Sequence, residues 1–146
     1  MTTRIFGSGI RRREDPRLIT GGAIYTDDVT LPGMAYAAIL RSPYAHAKIK
    51  SIDTTDAASR DGVVAVFTGE DTASLNGVPC AWLVPDSDLK AVDHPVIARD
   101  VVRYVGDAVA VVVAESRYEA EDALDGITVD YEQLPVVIDP EEAAQP

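Results

Sequence analysis

The chain has 146 residues, 47% of them hydrophobic, with a mean hydropathy near zero and a single cysteine, which suits one folded domain and excludes an internal disulfide. No apolar run approaches the roughly 20 residues needed to span a bilayer, and Met1-Thr2-Thr3-Arg4 is not followed by a signal-peptide core, so a cytoplasmic protein is expected. The net charge of −11 is uneven: residues 1–60 carry nine Lys/Arg against six Asp/Glu, residues 61–146 four against eighteen, and an acidic surface of that kind argues against a nucleic-acid partner.

Residues 1–20 contain Gly7, Ser8, Gly9 and many charges without a sustained period, and an extended arm is expected there. Arg11-Arg12-Arg13, followed at once by Glu14-Asp15, reads as a solvated and partly self-neutralised stretch more readily than as a docking surface. Gly21-Gly22 marks a turn. It lacks both GxGxxG spacing and a preceding buried strand, so it is not a dinucleotide loop. Ile24 and Tyr25 suggest a short strand, and Leu31-Pro32-Gly33 a turn.

Met34–Ser42 reads as a strand with Met34, Tyr36, Ala38 and Leu40 on one face and Ala35, Ala37 and Ile39 on the other, so burial on both faces is expected. Ser42-Pro43-Tyr44-Ala45-His46 interrupts it. A strand over Ala47–Ile52 follows, with Lys48 and Lys50 to solvent and Ile49 inward. Asp53 or Thr54 caps a short helix through Ala57 and Ala58, ended by Gly62. Val63–Phe67 is a buried-type strand, and Thr68-Gly69-Glu70-Asp71 resembles a capping box for one helical turn. Residues 72–100, with Asn76-Gly77, Pro79, Pro85 and Pro95 and the apolar fragments Ala81-Trp82-Leu83-Val84 and Val96-Ile97-Ala98 between them, predict a long connection carrying one or two short strands. Such a connection is more often functional or interfacial than idle.

The most informative stretch is Val101–Tyr131. Val101–Val105 predicts a strand, Gly106-Asp107 a tight turn, and Ala108–Ala114 a seven-residue apolar run without alternation, the pattern of a strand covered on both faces. Ser116-Arg117-Tyr118-Glu119 is an S-x-x-E capping box. Ala120, Ala123, Leu124 and Ile127 continue at helical spacing, with Gly126 as the left-handed closing residue. Ile127, Val129 and Tyr131 then alternate with Thr128, Asp130 and Glu132 as a half-buried strand. Val136-Val137-Ile138 predicts a last short strand, and 141–146 a tail.

No candidate for chemistry stands out. His46 and His94 lack partners at metal-ligand spacing and read as polar loop histidines. Cys80, between Pro79 and Ala81-Trp82, reads as a buried inert thiol, and Trp82 as core or interface. There is no G-x-S-x-G elbow, and Asp27-Asp28, Glu70-Asp71, Asp86/Asp88 and Glu141-Glu142 sit in turns or tails without the ordered calcium-loop pattern. The residues alone support no catalytic, cofactor-binding or metal site. One loop is a candidate interface between this segment and another domain or subunit: Arg41, Tyr44 and His46 lie between two buried-type strands, and arginine and tyrosine are enriched where surfaces meet. The alternative of equal weight is that Tyr44 covers the domain's own core while Arg41 pairs with a nearby acid.

Four stretches, Arg12-Arg13-Glu14-Asp15-Pro16-Arg17-Leu18-Ile19-Thr20-Gly21, Arg41-Ser42-Pro43-Tyr44-Ala45-His46-Ala47-Lys48-Ile49, Val102-Arg103-Tyr104-Val105-Gly106-Asp107 and Val129-Asp130-Tyr131-Glu132-Gln133-Leu134-Pro135, together resemble the N-terminal domain of the molybdenum-binding large subunit of the molybdenum hydroxylases. These are the carbon monoxide dehydrogenase, xanthine dehydrogenase and aldehyde oxidoreductase relatives, and the E-D-P-R-L-x-T-G opening is most similar to the carbon monoxide dehydrogenase-like branch. The resemblance implies an α+β protein of α/β hammerhead fold, a small mixed sheet with two helices and a β-hammerhead. It implies an arm over 1–20, the domain over 21–140 and a tail or linker start over 141–146. It further implies a structural, non-catalytic role in a molybdenum-dependent oxidoreductase. The complete subunit would hold molybdenum with a pterin of the cytosine dinucleotide type, and partner subunits would carry iron–sulfur clusters and FAD. Its partners would be the remaining molybdenum-binding domains and those subunits. The glutamine- and glycine-rich pterin loops, the active-site cysteine loop and the glutamate base of the family are missing here, so the chain is expected to be an excised or separately encoded domain. A stand-alone interaction module of the same fold is the competing expectation.

Overall fold

A computed structural model describes residues 6–79, 85–86, 88 and 92–145. The chain divides into two compact units, residues 1–34 and 35–146. In the first, Asp15–Ile19 forms a one-turn helix, α1, inside the stretch expected to be extended. Pro16 suits a first helical turn, where its missing N–H costs nothing. Asp15 Oδ2 accepts from Arg12 N at 3.1 Å, and Gly21, at φ +72°, turns the chain out of the helix. The strand expected at Ile24-Tyr25 is absent; Tyr25 N donates to Asp28 Oδ2 at 2.9 Å and a 3-10 turn forms over Thr26–Asp28. The Leu31–Gly33 turn is present, with Met34 N donating to Leu31 O and Gly33 at φ +74°.

The second unit contains β1 (Tyr36–Arg41), β2 (Ala47–Asp53), α2 (Thr55–Ser59), β3 (Val63–Thr68), β4 (Val101–Val102), β5 (Ala108–Ala114), α3 (Arg117–Leu124), β6 (Thr128–Gln133) and α4 (Pro140–Ala143). The α+β class is as the sequence suggests. The strands divide between two antiparallel three-stranded sheets, ordered β1-β5-β3 and β4-β2-β6.

The first sheet buries one face. Ala110 and Val112 of β5, fully buried, pack with Ala57 of α2, Ala123 of α3 and Ile127, while Ala38 and Ala114 meet Ala120. A second core gathers Ala47, Ala98, Val102 and Val109 beneath Tyr44, Ile49 and Tyr131. Burying Val102, Val109 and Val112 completely stabilises the fold by roughly 1.5 kcal/mol or more for each side chain.

Local chemistry sets most element ends. Ser116 Oγ accepts from Glu119 N at 3.2 Å and opens α3, while the Glu119 carboxylate lies against Gly62. Asp53 Oδ1 accepts from Thr55 N at 3.0 Å at the start of α2. Asp71 Oδ2 accepts from both Thr68 N and Thr68 Oγ1, and these bonds hold the Asp71 carboxyl below its ordinary pKa.

Further expectations are corrected. Gly126 is not left-handed; it is required because the chain passes too close to Ala57 for a side chain. Val136–Ile138 forms no strand: Pro135 breaks the ladder after Gln133, the last paired residue of β6, and Ile138 is 90% exposed. Val101–Val105 is a strand only at Val101-Val102, and Val96-Ile97-Ala98 is not one, although Ile97 and Ala98 are buried. Ile39 and Ala37 remain exposed, so β1 is covered on one face only. The strand suggested by Ala81–Val84, like Cys80 and Trp82, lies outside the described residues.

Candidate functional site

The end of β1 and the start of β5 lie side by side, and there two separate sequence stretches lock together. Ser42 N donates to Asp107 O, Gly106 N donates to Ser42 O, and Arg41 Nη1 donates to Gly106 O, each at 2.8 Å. Ser42, 2% exposed, uses its hydroxyl twice: Oγ donates to Tyr44 O at 2.9 Å and accepts from Tyr44 N at 3.0 Å. Asp107, 6% exposed, accepts from Arg103 N at 3.1 Å through Oδ2 and so closes the 103–107 turn on itself. Each polar group buried here would destabilise the fold by about 1–3 kcal/mol if left without a partner.

Gly106 turns at φ +94°, with open space where a Cβ would stand. Its requirement is therefore conformational. Gly106→Val is expected to cost more than about 1 kcal/mol through backbone strain alone. An unchanged urea midpoint for that variant would remove this reading of the turn.

A third stretch joins the same place from β6. Tyr131 meets Tyr44 edge-on, ring centroids 5.1 Å apart at 61°. Burial pushes the Tyr131 phenol above its usual pKa, and a hydrogen bond with Ser42 pulls the other way. His46 Nδ1 lies 2.7 Å from Pro135 O; a carbonyl only accepts, so Nδ1 carries the proton. Leu134 N donates to His46 O at 3.0 Å. Tyr104 stacks on His94 at 5.9 Å; desolvation first, then the Asp107 carboxylate, hold its phenol above the ordinary value.

The structure thus brings the predicted residues Arg41, Tyr44 and His46 into one loop. Arg41 is exposed and grips a backbone carbonyl; Tyr44 and His46 are half-buried against the domain itself. Ser42 and Asp107, the residues that knit the loop, were not singled out from sequence. The available signal was a serine and an aspartate placed at the joints of apolar strands, where a polar side chain survives burial only by bonding to backbone.

What the arrangement can do chemically is limited. The Ser42 hydroxyl is engaged by the Tyr44 backbone and by the Tyr131 phenol, and His46 Nδ1 by Pro135 O, so these residues do not form a nucleophile–base pair. Among the described residues no group of three His, Cys, Asp or Glu side chains could hold a metal ion. Nor, among them, is any helix long and apolar enough to cross a membrane. Arg99 lines two open clefts of ≈ 230 and ≈ 320 Å³; its Nε is buried without an acceptor, and its Nη2 reaches Thr72 O only at 3.4 Å.

The described residues of the second unit form a mixed α+β arrangement of two small antiparallel sheets. The chain matches, over residues 20–135, the family described as "Aldehyde oxidase and xanthine dehydrogenase, a/b hammerhead domain", and it belongs to that family. It is 44% identical over 140 residues to the 6-hydroxypseudooxynicotine dehydrogenase complex subunit gamma of Paenarthrobacter nicotinovorans, covering 94% of this chain and 18% of that subunit. It is 43% identical over 145 residues to the carbon monoxide dehydrogenase large chain of Afipia carboxidovorans, covering 98% of this chain and 17% of the relative. Among solved structures, quinoline 2-oxidoreductase from Pseudomonas putida 86 superposes with a TM-score of 0.84 at 46% identity, over 94% of this chain and 17% of the other. The chain therefore spans less than a fifth of the length of the relatives it matches.

Proposed function

We propose that this chain is the structural hammerhead domain of a molybdenum hydroxylase large subunit, acting in the cytoplasm and inactive by itself. The observation that carries the reading is the commitment of the Ser42 hydroxyl and the Asp107 carboxylate to neighbouring backbone, where they fix the shape of a loop. Among the described residues no group of three His, Cys, Asp or Glu side chains is placed to hold a metal ion; molybdenum and its pterin would be held by the rest of the subunit. Iron–sulfur and FAD groups would be held by partner subunits. Relatives named for a nicotine derivative, carbon monoxide and xanthine stand at 44%, 43% and 43% identity. The domain is common to enzymes of different substrates, which agrees with a scaffold role.

Within this reading the Arg41–His46 loop faces the completing domains or an electron-transfer subunit. Tyr44 also packs on Tyr131, so truncating it would disturb the core, and Arg41→Ala is the cleaner test. Co-expressed with the polypeptide segment that completes the large subunit, the wild-type chain should co-elute with it on size exclusion. Arg41→Ala should fold alone, with only the small loss of thermal stability due to its exposed bond to Gly106 O, yet co-elute poorly. A wild-type chain that never associates would instead be a stand-alone module. Arg41→Ala that assembles normally would remove the loop from the interface.

A further inference from the structure

The β1-β5-β3 sheet has two faces, and only one is fully accounted for by the helices. The register pairs Ala37 with Val113 and Ile39 with Val111 on one side, and Ala65 with Val113 and Phe67 with Val111 on the other. Cross-strand partners share a face, so these six residues form one uncharged aliphatic and aromatic surface, opposite the face that packs on α2 and α3. Its accessibility changes along β5. Val109, on the same face, is fully buried in the second core, whereas Val111 and Val113 are half-buried. Ile39 is 41% and Phe67 42% exposed, and Val64, at the bulge in β3, is 63% exposed. The apolar floor thus continues past the edge of the core that covers its first residue.

We propose that this face is a docking surface for the remainder of the large subunit, which covers it with an apolar helix or strand. The inference rests on the family role proposed above and adds the surface through which it is exercised. Two observations select the occupant. The run Ala108–Ala114 does not alternate, the pattern of a strand buried on both faces, yet the chain's own helices cover one. In the structural relative the matched region is 17% of one polypeptide, so most of that chain lies beyond the domain and is available as cover. A second copy of this chain is disfavoured, because two molecules each of net charge −11 repel. An apolar surface left open in this way is otherwise a liability for association.

Hydroxyl-radical footprinting tests the assignment on the full chain, alone and co-purified with the segment that completes the large subunit. Labelling of Ile39 and Phe67 should fall several-fold in the complex. Tyr118, 81% exposed on α3 across the sheet, serves as the reference and should keep its labelling. An Ile39→Lys/Phe67→Lys variant, altered only at exposed positions, should retain its melting transition and lose co-purification. If that variant does not fold, the wild-type footprint alone decides. A complex in which Phe67 labels as in the free chain overturns the docking face while leaving the family role intact. Protection of Phe67 in the chain alone, with a doubled mass, makes a second copy the occupant and also overturns it. Failure of the wild-type chain to form any complex overturns the family role itself, and the docking face with it.

Discussion

Gly126→Ala is expected to destabilise the chain by roughly 2–3 kcal/mol, although alanine is the smallest possible addition. A Cβ at this position would stand 2.7 Å from Ala57 N and from Asp56 Oδ2, and 2.9 Å from Ala57 Cα. The Asp56 side chain can swing away, but the Ala57 backbone cannot, because Ala57 is fully buried in the core with Ala123 and Ile127. The turn after α3 and the start of α2 would have to separate, opening the face of the sheet they cover. Urea unfolding should show a lower midpoint with an unchanged slope. A midpoint within error of wild type would mean that α2 is held more loosely than this contact implies. The contrast with Gly106 is physical: there the backbone sign of φ demands glycine, here the proximity of another chain segment does.

Asp107→Ala should cost about 1–3 kcal/mol, since the Arg103 amide loses its side-chain acceptor beside a nearly buried position. Asp107→Asn keeps a carbonyl oxygen at that place and should lose less. The same pair of variants carries a titration signature. The Asp107 carboxylate helps to hold the Tyr104 phenol above its ordinary pKa, because a negative charge opposes formation of a phenolate nearby. Removing it should lower the Tyr104 pKa in both variants, read from the Tyr104 ring resonances during an alkaline titration. A Tyr104 transition unmoved in both variants would show that desolvation alone sets it.

Much of the second unit was legible because its signals are local. The capping serine of α3, the β-branched run of β5 and the turn at Gly106-Asp107 each depend on neighbours a few residues away, and each is where the pattern puts it. The misreadings come from tertiary context. Gly126 looked like a helix terminator because nothing local reveals that Ala57, far away in sequence, presses against it. Val136–Ile138 has strand composition but no strand to pair with once Pro135 has broken the ladder. The apolar outer face of β1 read as buried because its side chains are apolar, yet Ala37 and Ile39 are exposed. The site was legible in part. Arg41, Tyr44 and His46 were picked out as one loop, while Ser42 and Asp107, which hold that loop in shape, look unremarkable until the sheet brings them together. The resemblance of four short stretches to one family contributed what the residues could not, and three of the four converge on this loop.

Elemental analysis of two preparations separates a scaffold domain that works only within a molybdenum-containing subunit from a chain that works alone. One is the purified chain alone, the other the complex of the chain with the segment that completes the large subunit. No molybdenum is expected in the first, and stoichiometric molybdenum, together with dye-linked dehydrogenase activity, in the second. Stoichiometric molybdenum in the chain alone, or a stable complex that holds none, would contradict the scaffold role.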